Sequence, residues 1–226
     1  DTVNSMFTLA HEMGHALHSY YSDSNQSYIN AGYKIFVAEV ASTCNESLLI
    51  HYLLKNTDDK AEKAYLINHF LEQFKGTLYR QTMFAEFEKI THKMVEEGET
   101  LTSDILCKVY YDLNKQYFGE NMVLDEEIAL EWARIPHFYN PFYVYQYATG
   151  ISAAIALSKK IMEQGEAGVK DYMKFLTGGG SKDPIDLLKL AGVDMTTKEP
   201  IEKALELFKE LLDQMEPVSY THLRAH

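Results

Sequence analysis

Asn4-Ser-Met-Phe-Thr-Leu-Ala-His-Glu-Met-Gly-His-Ala-Leu-His-Ser-Tyr-Tyr21 sets the fold class. Phe7, Ala10, Gly14 and Leu17 recur at intervals of three and four, with Met6 and Met13 beside them, which is the period of one face of an α-helix. The same period continues outward along nearly the whole chain. Asn25–Gly32 is polar and turn-rich and reads as a loop. Tyr33–Lys55 is helical again, and Ile35, Val37, Val40, Leu48, Leu49 and Leu53 crowd it too closely for a solvated helix, so burial is expected. Thr57-Asp58-Asp59 offers N-caps for a long helix running toward Glu97, with Leu66, Phe70, Phe74, Leu78, Phe84 and Phe87 along it and Gly98 closing it. Thr102-Ser103-Asp104 opens a helix to Tyr117 that Gly119 ends. A short helix is expected over Glu126–Arg134, a loop between Pro136 and Pro141, and a helix over Tyr143–Gln164. Asp171–Leu176 reads as a short helix before Gly178-Gly179-Gly180, and Asp183-Pro184 starts another that runs to Leu190 and stops at Gly192. Lys198–Met215 closes the fold. There is no internal repeat, and the expected class is all-α.

Composition narrows the function. The 226 residues suit one large domain or two small ones, and 46% hydrophobic with 24% charged is ordinary for a folded protein. Lys+Arg 21 against Asp+Glu 33 leaves a net charge of −12, so no basic footprint for nucleic acid is expected. No window holds 18 uncharged apolar residues and no signal-peptide pattern opens the chain, so no membrane partner is expected. Cys44 and Cys107 stand in helix-like apolar surroundings and form no disulfide framework, which fits a reducing compartment. The chain opens at Asp1 and reaches its densest chemistry within ten residues, so an N-terminal truncation is expected. Pro217–His226 resembles read-through of a sequencing adapter; residues 217–226 are expected to play no structural part, and His222 and His226 no functional one. Residues 1–216 then form the structural portion.

The chemistry concentrates in His11-Glu12-Met13-Gly14-His15. Residues four apart share a helix face one turn from each other, so two neutral imidazoles can converge on one Zn²⁺ while Glu12 projects beside them. A third ligand is expected at Glu39, a carboxylate set among Phe36, Val37, Ala38, Val40 and Ala41 that is costly to bury unless a cation compensates it. Glu46, two turns on, shares the face of Glu39 and is placed to orient a ligand histidine. His18 faces the same side one turn beyond and reads as structural or supporting, whereas His51, His69 and His92 have no partner pattern. Gly178-Gly179-Gly180 lacks the Lys-Ser/Thr of a phosphate loop and reads as a flexible loop.

Thr8-Leu9-Ala10-His11-Glu12-Met13-Gly14-His15-Ala16-Leu17-His18-Ser19, followed by Phe36-Val37-Ala38-Glu39-Val40-Ala41-Ser42-Thr43, resembles oligoendopeptidase F, a branch of the thimet-oligopeptidase-like zinc metallopeptidases. The resemblance continues through Ile135-Pro136-His137-Phe138-Tyr139 and Phe142-Tyr143-Val144-Tyr145-Gln146-Tyr147-Ala148-Thr149-Gly150 to the glycine run and Asp183-Pro184, and covers residues 1 to 216. It implies a multi-helix, zincin-type catalytic lobe whose facing N-terminal lobe is absent. It also implies a cytoplasmic enzyme cutting short, unstructured oligopeptides inside a deep channel, with one zinc per chain. The resemblance further places a substrate-binding histidine at His137 and oxyanion-side tyrosine hydroxyls shortly after it. Among Tyr139, Tyr143, Tyr145 and Tyr147, the reading favours Tyr147 first and Tyr143 second.

With His11, His15 and Glu39 on the metal, Glu12 is the expected general base toward water and general acid toward the leaving amine. His137 and the tyrosines would donate to the developing oxyanion. Two other readings stand beside this endopeptidase. A related zinc-dependent carboxypeptidase would need a cationic clamp for the substrate's terminal carboxylate, with Arg80 and Arg134 as the internal arginines available. A catalytically incompetent helical fragment would bind zinc or peptide without turnover. Cleavage preference and oligomeric state have no signature in the sequence.

Overall fold

The computed structural model describes the backbone of residues 2–223 and the side chains of residues 2–215. Among the described residues there is no strand, and the chain is all-α. In chain order the helices are α1 (Val3–Asn25), α2 (Tyr28–Ala31), α3 (Ile35–Asn56), α4 (Lys60–Gln73), α5 (Arg80–Glu96), α6 (Ser103–Phe118), α7 (Tyr145–Gln164), α8 (Glu166–Leu176), α9 (Pro184–Leu190) and α10 (Glu199–Leu223). Side-chain caps fix three of the starts. The Thr2 hydroxyl accepts from the Ser5 N–H, Asp59 from Glu62, and Thr102 from Ile105, each satisfying an amide that the first turn leaves without a partner.

Several boundaries differ from the sequence reading: α8 begins at Glu166 and not at Asp171, and the loop expected between Pro136 and Pro141 holds a 3-10 turn over Pro136–Tyr139. The loop expected over Asn25–Gly32 contains the single turn of α2. The long helix expected from Thr57 to Glu97 is interrupted by a π-helical turn over Phe74–Tyr79, where Gly76 weakens α-helical propagation. α10 continues to Leu223, past the expected end near Met215. The tail expected to be adapter-derived lies partly in residues 224–226 and in side chains beyond residue 215, outside the described residues. Among the described residues no helix is long and apolar enough to cross a membrane.

The chain divides into two compact units, residues 1–74 with 149–226, and residues 75–148. In the first, Val37, Val40, Ala41 and Cys44 of α3 pack with Ala153, Ala154 and Leu157 of α7, Phe175 and Leu176 of α8, and Leu187 and Leu188 of α9. α3 thus carries buried residues from Val37 to Ile50, as its apolar crowding requires, while Ile35 at its start and Tyr52 near its end are exposed. In the second unit Met83, Phe84 and Phe87 of α5 meet Tyr110 and Leu113 of α6, together with Ile135 and Val144.

Small residues set the close contacts of the first unit. The glycine run, read from its composition as a flexible loop, is packed on the α2 turn: the Gly180 N–H donates to the Asn30 carbonyl at 2.7 Å, and Gly179 sits at φ +52. A Cβ on Gly179 would lie 2.3 Å from the Asn30 oxygen, so only glycine allows this clasp on the α2 turn. His18 is fully buried, stacked on Tyr33 at 3.8 Å and tilted against Phe175, with neither ring nitrogen hydrogen-bonded; burial pushes its pKa down to about 4. It is a core residue.

Gly14 is where α1 meets α3. A Cβ there would stand 2.4 Å from the Ser42 Cα and 2.7 Å from the Ala41 carbonyl oxygen, both backbone atoms. In a free helix Gly→Ala gains about 1 kcal/mol. Here the clash reverses the sign, and Gly14→Ala is expected to cost about 2–3 kcal/mol, a fall in Tm of about 4–12 °C. Gly76→Ala, whose Cβ meets nothing within 4 Å, is the control and is expected to show no loss in the same thermal scan.

Candidate metal centre

α1 and α3 run antiparallel. As α1 advances from Ala10 to Gly14 and His15, its partners on α3 step back from Asn45 to Ser42 and Glu39. Because Gly14 lets the backbones touch, His11 three positions before it, His15 one after it, and Glu39 three before Ser42 close on a single point. His11 Nε2 and His15 Nε2 are 3.2 Å apart, and Glu39 Oε2 lies 3.3 Å from the first and 3.5 Å from the second. A tetrahedral ion with ligand bonds of about 2.0–2.1 Å places its ligands about 3.4 Å apart. The triangle fits such an ion, and among the described residues this is the group of histidine, cysteine and acidic side chains with that closeness. The three side chains are half-buried, so one side of the point faces solvent.

The electrostatics favour a cation at the same place. His11 has a carboxylate on each ring nitrogen, Glu39 at Nε2 and Glu46 at Nδ1. Their hydrogen bonds, Glu39 first, outweigh the cost of burial and push the His11 pKa up to about 10. In return His11 holds the Glu39 carboxyl below the usual carboxylate range. A metal at the Nε2 side would replace one proton and leave the Nδ1–H donating to Glu46. That donor arrangement fixes the ring's tautomer and orientation.

Glu46 is nearly buried, and its second oxygen accepts from the Gln73 amide at the end of α4. Ser42 donates to Glu39 Oε2 at 3.2 Å. Sequence reasoning marked Glu46 and missed the other two. Ser42, three residues after Glu39, could have been found from helical spacing; Gln73 belongs to no local pattern. Glu12 is exposed, turned about 100° around the helix axis from His11, and stands beside the triad and not within it.

The second unit gathers its own polar cluster. The His137 ring lies 5.7 Å from Tyr143 and 6.0 Å from Tyr147, and the Tyr147 hydroxyl donates to that of Tyr143 at 3.4 Å. Tyr139 stands apart from it, 86% exposed. Arg80 and Arg134 both pair with one carboxylate, Glu131, which also accepts from the Tyr110 hydroxyl.

Peptidase family M3 matches residues 2–207. Oligopeptidase PepF of Bacillus subtilis (strain 168) is 58% identical over 216 residues, which are 96% of this chain and 32% of that protein. Oligoendopeptidase F, chromosomal, of Lactococcus lactis subsp. cremoris is 44% identical over 215 residues, 95% of this chain and 36% of the relative. The crystal structure of oligoendopeptidase-F from Enterococcus faecium superposes with a TM-score of 0.88 at 45% identity, covering 97% of this chain and 40% of that one. The chain thus spans about a third of the length of the curated relatives it matches.

The triangle generates a direct test. Equilibrated with Zn²⁺ and desalted, the protein is expected to retain one ion per chain by elemental analysis, and His15→Ala to retain none. Glu46→Gln, which keeps the shape but weakens the hold on His11, is expected to lower zinc affinity by about 10–100-fold in a chelator competition. Equal zinc content in wild type and His15→Ala would remove the assignment.

Proposed function

The chain belongs to peptidase family M3, and from its metal triad we propose that it carries the catalytic centre of a zinc oligoendopeptidase, which hydrolyses internal bonds of short, unstructured oligopeptides. The observation that carries this reading is the 3.2–3.5 Å triangle of His11, His15 and Glu39 with Glu12 beside it. These three residues would hold one zinc ion. When bound there, zinc polarises the scissile carbonyl and acidifies water near neutral pH.

The chain's own groups then divide the work. Glu12 accepts the proton of the attacking water on its carboxylate and returns it to the leaving amine, and its exposed position leaves it open to both. Glu46 keeps the His11 ring in place through the Nδ1–H bond. We assign His137, Tyr143 and Tyr147 to the oxyanion on the resemblance of the Pro136–Gly150 segment to that family. An imidazole N–H and a pair of touching hydroxyls suit this use, since one hydroxyl can support the proton that the other presents.

The carboxypeptidase alternative has less support. It needs a free cationic clamp, and both Arg80 and Arg134 are spent on Glu131. A cytoplasmic setting fits the two free thiols, Cys44 and Cys107. Oligopeptides are the partners this reading requires, and nucleic acid and membrane have no place in it.

A peptide acetylated at its N-terminus and amidated at its C-terminus separates the readings. The natural protein containing this chain is expected to cut it internally, as read by mass spectrometry, and Glu12→Gln to retain zinc while losing about 10²–10⁴ in rate. Release of single C-terminal residues from free peptides alone would favour the carboxypeptidase. Full activity in Glu12→Gln would require another base.

Tyr147→Phe deletes one oxygen and leaves the ring's packing. It is expected to lower kcat by about 10²–10³ with zinc content and Tm unchanged. If Tyr143→Phe is the damaging change instead, the donor is its neighbour; if both are silent, the cluster is packing.

A further inference from the structure

We propose that Glu88 is a positioning residue for the proposed peptidase reaction, its buried carboxyl holding the turn that delivers Tyr143. The proposal rests on the reading of His137, Tyr143 and Tyr147 as the oxyanion-side donors. Glu88 lies on α5 and is 4% exposed. One of its oxygens accepts the Phe142 N–H at 2.9 Å, while the other has no hydrogen-bond partner. A half-satisfied carboxyl is an expensive way to fill an aromatic core where a leucine would pack, so its hydrogen bond must serve something beyond burial.

What it serves is a strained step in the backbone. Among the described residues Phe142 is the non-glycine residue with positive φ, at +58. A phenylalanine disfavours that left-handed conformation, and residues held in it concentrate at functional sites, where the surroundings over-determine them. Here the surroundings are two side chains of one helix face. Glu88 takes the Phe142 amide, and the His92 ring, one turn further along α5, lies tilted against the Phe142 ring at 4.6 Å. The turn is closed by the Tyr143 N–H donating to the Asn140 carbonyl at 3.2 Å. Tyr143 follows immediately, and its hydroxyl accepts from Tyr147 while its ring lies against His137. If the step at Phe142 relaxes toward negative φ, the direction in which Tyr143 leaves the turn changes, and the cluster loses one of its three mutually close rings.

Glu88→Leu removes the acceptor; Glu88→Gln keeps it, because the amide carbonyl can take the same N–H. In the chain itself, amide exchange at Phe142 is expected to be slow in wild type and in Glu88→Gln, and faster by about tenfold or more in Glu88→Leu. In the natural protein containing the chain, Glu88→Leu is expected to lower kcat by about tenfold or more with KM within about threefold and zinc content unchanged, and Glu88→Gln to recover most of that loss. Unchanged exchange in Glu88→Leu, unchanged kcat despite faster exchange, or equal losses in the leucine and glutamine variants would each overturn the proposal. Should Glu88→Leu fail to fold, the double variant Glu88→Leu/Phe142→Gly is expected to fold with partial kcat, since glycine takes the left-handed step unaided; an unfolded or inert double variant counts against the proposal. A wild-type protein that binds zinc and cuts no peptide sinks the functional reading instead, and the exchange measurement then decides the turn alone.

Discussion

The contact between the backbones of α1 and α3 at Gly14 is the constraint from which the candidate metal centre follows. Ligand atoms within 3.5 Å of one another on two helices demand an interhelical approach that no larger residue permits. Ordinary helix pairs lie 8–10 Å apart because side chains separate them. With a Cβ in the way, Glu39 would withdraw by the thickness of a methyl group, and the triangle would open beyond the reach of one small ion. The glycine inside the His-Glu-x-x-His pattern is therefore part of the site's geometry, although it carries no chemistry.

Charge then determines how the site is held. Two carboxylates facing one half-buried imidazole are tolerable only if a cation, proton or metal, sits among them. The same arrangement recruits a neutral donor from a third helix. Gln73 satisfies the outer oxygen of Glu46 without adding charge, where a lysine would draw Glu46 away from His11. The chain from Gln73 to Glu46 to His11 lets α4 brace a ligand on α1 through a residue of α3.

What could be read from the sequence was local in character. Helical periods, the caps at Asp59 and Thr102, the pairing of His11 with His15, and the improbable carboxylate at Glu39 all depend on spacings of three or four residues. Long-range features escaped. The π-turn at Phe74–Tyr79 leaves the hydrophobic period almost intact, so the sequence there reads as one long helix. His18 carries the same helical phase as the ligands, yet Tyr33 and Phe175 close over it, and only the packing distinguishes a core histidine from a supporting one. Gly178-Gly179-Gly180 has the composition of a flexible loop, and its true constraint is an oxygen of Asn30, far away in sequence. Gln73 and Glu88 are ordinary polar residues on amphipathic helices until their partners are known.

The two units place their costs differently, and the difference has a physical logic. In the first, the cost falls away from the metal point, on buried His18 with neither ring nitrogen partnered, while at the point itself His11 is paired on both nitrogens, Glu46 on both oxygens and Glu39 with Ser42. An ion-binding point needs ligands that hold their direction, and these pairings favour that. In the second, Glu88 keeps an oxygen without a partner and Phe142 keeps an unfavourable φ, side by side. Neither would persist for stability alone, because a leucine and a glycine would relieve both. They offset one another through a single hydrogen bond, so the turn before Tyr143 has one well-defined shape despite its strain. On the proposed reading, the Tyr143 hydroxyl would meet a charge that develops only during reaction, which calls for placement set in advance by backbone geometry and not by contact with the ground state.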